Sequence, residues 1–475
     1  MEFRPGLVWI ETYQLLLVLL LFIQSLSPRL QKPRMETWLP ALAGLGIVAA
    51  LLNFNVQGEM LSGAYRIDRL SQFFKLLVAL GFTIAVLNAR RHPTLPDDKR
   101  ADYFLLIAIS AWGLMIMASA VELIAIYLAL ELSSYSLYAV VALRGRERRA
   151  AEAAIKYIFF GAAATALALY GFSYILATQH TSYLAALAAR NWSWSAQPMA
   201  IVGMTLFLGG MFYKLALFPF HFWAPDVYQG ASNETATYVA TLPKLGVLVV
   251  LVRLAALHPG AEVTQVMAIL AAASMTYGNL AALVQTDIKR ILGYSAVAHA
   301  GYLMVGLVAG TLEGLDATVF YTLAYILMSF TCFWVVCRLA TDGRNLVLAD
   351  LNGLHRRSPV LAFVLAVGVF SLVGLPPTAG FMGKLFLLTS VWNHGYNWLV
   401  VLAAVNTAIS LYYYLNMVRH AYTQDDPERE PAAPAMPIYS NGWGLLLAGL
   451  VLALGVMPGP VFDAAVAAGS RLIVP

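Results

Sequence analysis

Charge is scarce in this chain. Only 12% of its 475 residues are Asp, Glu, Lys or Arg, 60% are apolar, and the mean hydropathy is +0.72. A soluble domain carries about 25% charged residues, so this chain has too little polar surface to cover a soluble globule, and the bilayer is its solvent. Cysteine is scarcer still. Cys332 and Cys337 are five apart in an apolar helix, about 140° apart around its axis, and cannot form a metal site alone. No Gly-rich phosphate loop, cysteine cluster or histidine pair at ligand spacing occurs, so no flavin, haem or iron–sulfur centre is expected in the chain. No stretch alternates with period two over about ten residues, which argues against a β-barrel.

What the chain has in abundance is apolar runs long enough to span, about twenty residues each. They lie near 7–27, 38–55, 70–89, 102–120, 122–142, 151–177, 201–222, 231–257, 263–283, 289–309, 317–339, 358–396, 397–418 and 440–460. The expected fold is an all-α polytopic membrane protein of about fourteen transmembrane helices. The first run is too long for a signal peptide and lacks a small-residue cleavage site, so it is expected to stay as a helix. The run 358–396 is too long for one straight span and reads as one helix broken in its middle.

Lys and Arg collect in loops retained on the cytoplasmic side. Odd-numbered loops hold Arg29, Lys32 and Arg34, then Arg90, Arg91, Lys99 and Arg100, then Arg144, Arg146, Arg148 and Arg149. Further along they hold Lys289, Arg290, Arg344, Arg356, Arg357, Arg419 and Arg429, against Arg66, Arg69 and Arg190 in the even loops. Both termini are therefore expected in the periplasm of a bacterial inner-membrane protein, and the net charge of +5 reflects topology without any nucleic-acid role. Trp192 and Trp194 read as interfacial anchors, and the acidic, Pro-rich stretch 424–438 as a solvated loop.

Against this background a few charges stand inside the apolar runs: Glu131, Lys214, Lys244 and Lys384, with Lys156 as a shallower fifth that snorkelling could carry to the surface. A Lys or Asp at a bilayer centre costs about 2.5–3.5 kcal/mol on insertion scales. A purely structural alternative is that these charges pair and hold helices together, but apolar packing does that at lower cost. Burial disfavours the charged form of a lysine and a nearby carboxylate favours it, so a lysine moved between the two influences takes up and releases protons. Glu131 beside Lys214 is the expected adjustable pair, with water linking successive sites.

Proline marks two breaks. Pro219 follows Lys214 by five residues, and Pro376 and Pro377 precede Lys384. Proline frees a carbonyl and kinks a helix, and broken helices beside buried ions are common in transporters built from inverted repeats. Gly210 and Gly380 each stand four residues before their lysine, with the break after Lys214 in one copy and before Lys384 in the other, as an inverted pair of five-helix units would give. His221 adjoins the first break and is a relay candidate. His299 reads as a packed core histidine, and Lys289 and Arg290 as topology charges at a helix start.

At these motifs the chain resembles the N subunits of the proton-pumping NADH:quinone oxidoreductase, complex I. The matching stretches are LALELSSYSLYAVVAL, EAAIKYIFFGAAATALALYG, KLALFPFHFWAPDVYQGA, QTDIKRILGYSAVAHAGYL and LPPTAGFMGKLFLL, in order from about residue 100 to 420. The resemblance implies a fourteen-helix fold with two inverted five-helix repeats, each containing a broken helix. It also implies one of three antiporter-like pumping subunits, with other membrane-arm subunits and lipid as partners. NADH, FMN, iron–sulfur clusters and quinone would be used in other subunits, and none in this chain. By motif match, Glu131 and Lys214 resemble the family's coupled pair, Lys244 the central relay, and Lys384 the second-half channel residue. Lys156 and His221 likewise match family positions. Where the family shows a Pro-containing run after VYQGA, this chain has Ser232, Asn233 and Glu234, and it places Pro243 directly before Lys244. Glu234, ten residues from Lys244, is either an extra entry carboxylate or a surface charge.

The implied organisation is an N-terminal three-helix segment (1–100), a first repeat (101–257), a second, inverted repeat (258–420), and the acidic loop with a C-terminal helix (421–475). The expected function is proton translocation driven by quinone reduction elsewhere, because one charge crossing 100 mV costs about 2.3 kcal/mol and this chain has no redox or nucleotide site to supply it. Rival readings are a subunit of a multisubunit cation/proton antiporter or a hydrogenase-linked membrane arm, and a non-transporting scaffold.

Overall fold

Hydrocarbon offers backbone amides no partner, so an apolar run crossing it satisfies its own N–H and C=O groups by coiling. The computed structural model, which describes residues 5–26, 35–90, 92–145, 147–190, 192–255, 261–423 and 438–469, is accordingly almost all helix. The basic residues Arg29, Lys32, Arg34, Arg91, Arg146 and Arg429, and the acidic stretch up to residue 437, lie outside the described residues.

The chain opens with α1 (Trp9–Leu26), α2 (Met35–Leu52) and α3 (Arg69–Ala89). Gly58–Met60 and Tyr65–Ile67 form a small antiparallel hairpin before α3, Gly58 facing Ile67. Then come α4 (Arg100–Ser119), α5 (Leu123–Ala142), the long α6 (Arg148–Gln179), a short α7 (Leu184–Ala188), α8 (Pro198–Leu215), α9 (Trp223–Gly230) and α10 (Asn233–Ala255). The second half holds α11 (Ala261–Leu283), α12 (Ile288–Val308), α13 (Leu312–Leu339), a short α14 (Leu354–Arg357), α15 (Pro359–Val373), α16 (Ala379–Val391) and α17 (Asn397–Thr423). α18 (Ile438–Val456) and α19 (Gly459–Gly469) close the described chain.

The helix starts are written in the sequence. Asp68 accepts from the Ser71 amide at 2.8 Å while Ser71 Oγ accepts from the Asp68 amide, a reciprocal cap on α3. Asp287 and Thr311 cap α12 and α13 in the same way from one side. Pro198 and Pro359 open α8 and α15 at positions where the missing N–H costs nothing.

Among the described residues, eleven helices are long and apolar enough to cross a bilayer alone, and up to twelve if α18 and α19, bent by 78° at their junction, make one span. The difference from fourteen lies in two expected runs. Run 38–55 yields an apolar helix of only Thr37–Leu52, and run 358–396 yields the two short helices α15 and α16. Run 201–222 is helical only as far as Leu215, and after the break α9 begins just beyond the run at Trp223.

Burial sorts the helices. α10 and α13 are buried along their whole spanning windows and α12 nearly so, whereas most of α1, α6, α11 and α17 is outward-facing. The outward faces carry large apolar side chains, among them Leu128, Phe159, Ile269 and Tyr412, which fits a hydrocarbon surrounding. Without a hydrophobic drive between helices in lipid, small residues set close approach. A Cβ on Gly171 of α6 would fall on the Gly203 carbonyl of α8, and one on Gly203 on the Gly171 carbonyl.

Candidate functional site

The two broken helices place two lysines alike. α8 stops one residue after Lys214, where Ala216 takes a left-handed φ of 63°, and the chain passes Pro219 before α9 begins. Lys214 is buried. Its Nζ donates to the Tyr157 hydroxyl at 3.4 Å and lies 5.2 Å from the ring centroids of Tyr138 and Tyr157. In the other half, α15 stops at Gly374 (φ 90°), and Lys384 stands in the second turn of α16. Its Nζ donates to the last carbonyls of α15, Leu372 at 3.3 Å and Val373 at 2.8 Å, and lies 4.2 Å from the Tyr302 ring centroid. Each lysine thus sits at the C-terminal end of a half-helix, where unsatisfied carbonyls carry partial negative charge, and over an aromatic face that attracts a cation. The break follows Lys214 and precedes Lys384, as the sequence suggested.

Lys244 occupies the middle, on the fully buried α10. Its Nζ donates to the Tyr325 hydroxyl of α13 at 2.9 Å and to the Ala296 carbonyl of α12 at 3.3 Å. α10 continues as helix through Pro243.

Aromatic hydroxyls and one imidazole fill the intervals. Between Lys214 and Lys244 stands Tyr228 of α9, within electrostatic reach of both Tyr157 and Tyr325, its hydroxyl making no hydrogen bond to protein. Between Lys244 and Lys384 stands His299 of α12. Its Nδ1 shares a 2.7 Å hydrogen bond with the Tyr321 hydroxyl and its Nε2 a 3.3 Å one with that of Tyr414, which also bonds Ser295. The imidazole lies 5.3 Å from the Tyr325 ring and 5.9 Å from the Tyr302 ring, and within Coulombic reach of both lysines. A row therefore runs from Lys214 through Tyr157, Tyr228, Tyr325, Lys244, His299 and Tyr302 to Lys384. The sequence reading of His299 as a packed residue missed this. Its hydrogen-bonded packing is real, but the partners are hydroxyls of the row.

Glu131 on α5 accepts from the Thr165 hydroxyl at 2.7 Å and leaves Oε2 without a partner. It is within Coulombic reach of Lys214 but makes no ion pair with it: the ammonium is held by Tyr157 and faces Tyr138, two turns along α5 from Glu131. The expected pair is coupled across a gap and does not touch.

Lys156 is not in the row. It is partly exposed and ion-paired to Glu152 at 2.8 Å and Asp226 at 2.6 Å, and Asp226 also pairs Arg290 at 2.8 Å. This cluster ties α6 and α12 to α9, the second half of the broken helix. His221 lies buried in the break, stacked on Phe218 with its edge toward Tyr277, and neither ring nitrogen has a hydrogen-bond partner in the protein. Lys289, expected at the surface, is fully buried and donates to the Ala231 carbonyl at 2.7 Å. The loop after α9 folds over the start of α12, which a position count from the helix end does not reveal.

Sequence reasoning also missed a buried ion pair away from the row. Lys75 of α3 meets Glu11 of α1 at 2.5 Å, and the Tyr65 hydroxyl donates to the same carboxylate oxygen. Both charges stand inside expected spans, so the signal was the one that singled out Glu131, diluted by nearness to the span ends.

The chain is similar to known proteins in sequence and in fold. The family described as NADH:quinone oxidoreductase/Mrp antiporter, TM, matches residues 120–410. A curated NADH-quinone oxidoreductase subunit N 2 of Solidesulfovibrio magneticus is 59% identical over 97% of this chain and 98% of its own length. One of the same name from Opitutus terrae is 45% identical over 88% of each. Among solved structures, a chain of respiratory complex I from Thermus thermophilus with bound aureothin is 33% identical, with a TM-score of 0.82 over 97% of this chain and 99% of that one. A chain of the Mrp complex from Dietzia shares the fold (TM-score 0.89, 18% identity, covering 100% of this chain and 98% of that one). The chain belongs to the NADH:quinone oxidoreductase/Mrp antiporter transmembrane family.

Proposed function

We propose that this chain is a proton-translocating, antiporter-like subunit N in the membrane arm of a bacterial respiratory NADH:quinone oxidoreductase. The observation that carries the reading is the row of buried lysines, tyrosines and His299 through the middle of the bundle. Three ammonium groups held inside a membrane protein without a carboxylate in contact are a poor way to stabilise a fold and a good way to hold exchangeable protons.

Protons pass along the row through the hydroxyls, the imidazole and intervening water. Lys214, with Glu131 acting on it across the gap, serves the first half, Lys244 the centre and Lys384 the second half. His221 is a side relay at the first break. Lys156 positions α9 through Asp226. The two halves, 101–257 and 258–420, act as inverted five-helix units, with 1–100 and 421–475 flanking them. In this reading α2, the α15–α16 pair and the α18–α19 pair complete fourteen crossings. The Lys and Arg bias supports both termini in the periplasm of the inner membrane. Energy comes from quinone reduction in partner subunits, which hold the NADH, flavin and iron–sulfur chemistry. Other antiporter-like membrane subunits are the immediate neighbours.

The test is Glu131→Gln in the assembled complex in proteoliposomes, reading NADH oxidation and proton uptake together. Proton transport slows while assembly persists. Unchanged pumping removes Glu131 from the path, and failed assembly with unchanged pumping by the surviving complexes favours a scaffold.

A further inference from the structure

Glu234, the second residue of α10, is not a surface charge. It is 3% exposed, and its Oε2 makes no hydrogen bond. The group facing that oxygen is His92, in the loop between α3 and α4, with Nε2 at 3.7 Å. His92 is equally buried. Its Nε2 also meets the Ser232 hydroxyl at 3.0 Å, its ring stands edge-on to Tyr103 at 5.0 Å, and its Nδ1 has no partner. The next residue, Pro93, is exposed, so the imidazole lies one residue beneath the surface. Burial, with the Arg144 guanidinium nearby, pushes His92 down to about 3, so the ring is neutral.

The charged and titratable groups facing Glu234 come from four other elements. They are Tyr103 of α4, Arg144 after α5, Lys289 of α12, and Cys337 and Arg338 of α13. If Glu234 served as a counter-ion, it would meet a cation. Instead Lys289 donates to the Ala231 carbonyl, and Arg144 donates to Gly230 at 3.1 Å and Ala231 at 3.0 Å. Neither forms an ion pair with Glu234.

Glu234, Thr237, Thr241 and Lys244 stand at i, i+3, i+7 and i+10, along one stripe of α10. The stripe is about 15 Å long. Thr237 Oγ1 accepts from Asn88 Nδ2 at 3.4 Å and lies 3.6 Å from Cys337 Sγ, so polar atoms of α3 and α13 face the same stripe.

We propose that Glu234 and His92 form a proton-loading site, which takes protons from the Lys- and Arg-rich face of the protein and passes them along this stripe to Lys244. A proton binds His92 Nδ1 as the one on Nε2 leaves for Glu234 Oε2, so the imidazole ends neutral in its other tautomer. The carboxyl then gives its proton through the threonine hydroxyls and water to a neutral Lys244 amine and returns to carboxylate. Loss of the Nδ1 proton to water, with uptake of one at Nε2 through the Ser232 hydroxyl, restores the starting tautomer. The inference rests on the transport reading above.

The test uses the assembled complex in proteoliposomes, with Glu234→Gln, Glu234→Asp and Lys244→Ala compared across the neutral and alkaline range. Glu234→Gln is expected to slow proton transport by roughly tenfold or more, the lower part of what a positioned acid–base group contributes. The loss should deepen as pH rises and protons become scarce. Glu234→Asp restores most of the rate. A Glu234→Gln complex that pumps like wild type at every pH, beside a Lys244→Ala complex whose pumping falls, overturns this inference alone. A Lys244→Ala complex that pumps normally overturns the transport reading and this inference with it. Should Glu234→Gln fail to assemble, the infrared difference spectrum between acid and alkaline pH decides. A carboxyl C=O band displaced between wild type and Glu234→Asp supports the site, and identical carboxyl bands overturn it.

Discussion

Lys244 and Tyr325 close a small ring with the backbone of α10. The ammonium donates to the phenol oxygen at 2.9 Å, and the phenol donates to the Ala240 carbonyl at 3.3 Å, one turn before Lys244 on its own helix. The central charge of the row is thereby fixed to α13 and to its own helix at once.

Tyr325→Phe removes that acceptor without changing the shape of the site. A hydrogen bond to a charged group contributes about 1.5–3 kcal/mol, so the variant should unfold earlier in detergent by that amount while still assembling. Proton transport should fall by roughly tenfold, the scale of losing one positioned proton-transfer group. The measurement is thermal unfolding of the complex alongside proton uptake per NADH oxidised.

The Glu11–Lys75 pair is structural. Removing one partner of a buried ion pair leaves an uncompensated charge and costs about 3–5 kcal/mol, whereas replacing both is close to neutral. Lys75→Met should therefore impair assembly strongly, and Glu11→Gln with Lys75→Met should recover it. Complexes of the double variant should pump the wild-type number of protons per electron. Blue-native gels and proteoliposome assays check the two halves of this expectation.

His92 should make the fold acid-sensitive. Its folded-state value of about 3 is below the ordinary 6.5, so unfolding takes up a proton. Its stabilising contribution is whole above about pH 6.5 and is lost as pH falls toward 3, by up to about 1.4 kcal/mol per pH unit. His92→Gln should flatten the fall in unfolding temperature between neutral and mildly acidic pH. Parallel curves for the two proteins would contradict it.

The sequence showed its lysines plainly, because a mid-span Lys at 214, 244 or 384 has no water to explain it. It showed the breaks too, because Pro219 and Pro376–Pro377 cannot continue a helix. What it hid was pairing. Lys156 read as shallower than Lys214, but nothing in the string showed that Asp226, seventy residues away, draws it into an edge cluster. Tyr157, Tyr228, Tyr302 and Tyr325 carry no charge and are common in apolar helices, so nothing marked them as the links. Glu234 was visible as a departure from the family pattern, but only the loop that carries His92 over it decides that it is buried.

The central claim is that protons move through Lys244. The direct measurement is the number of protons taken up per NADH oxidised by the assembled complex carrying Lys244→Ala, with quinone reduction followed in the same vesicles. The account predicts an assembled complex in which proton transport through this subunit is lost. Full assembly with wild-type proton uptake per electron would contradict it.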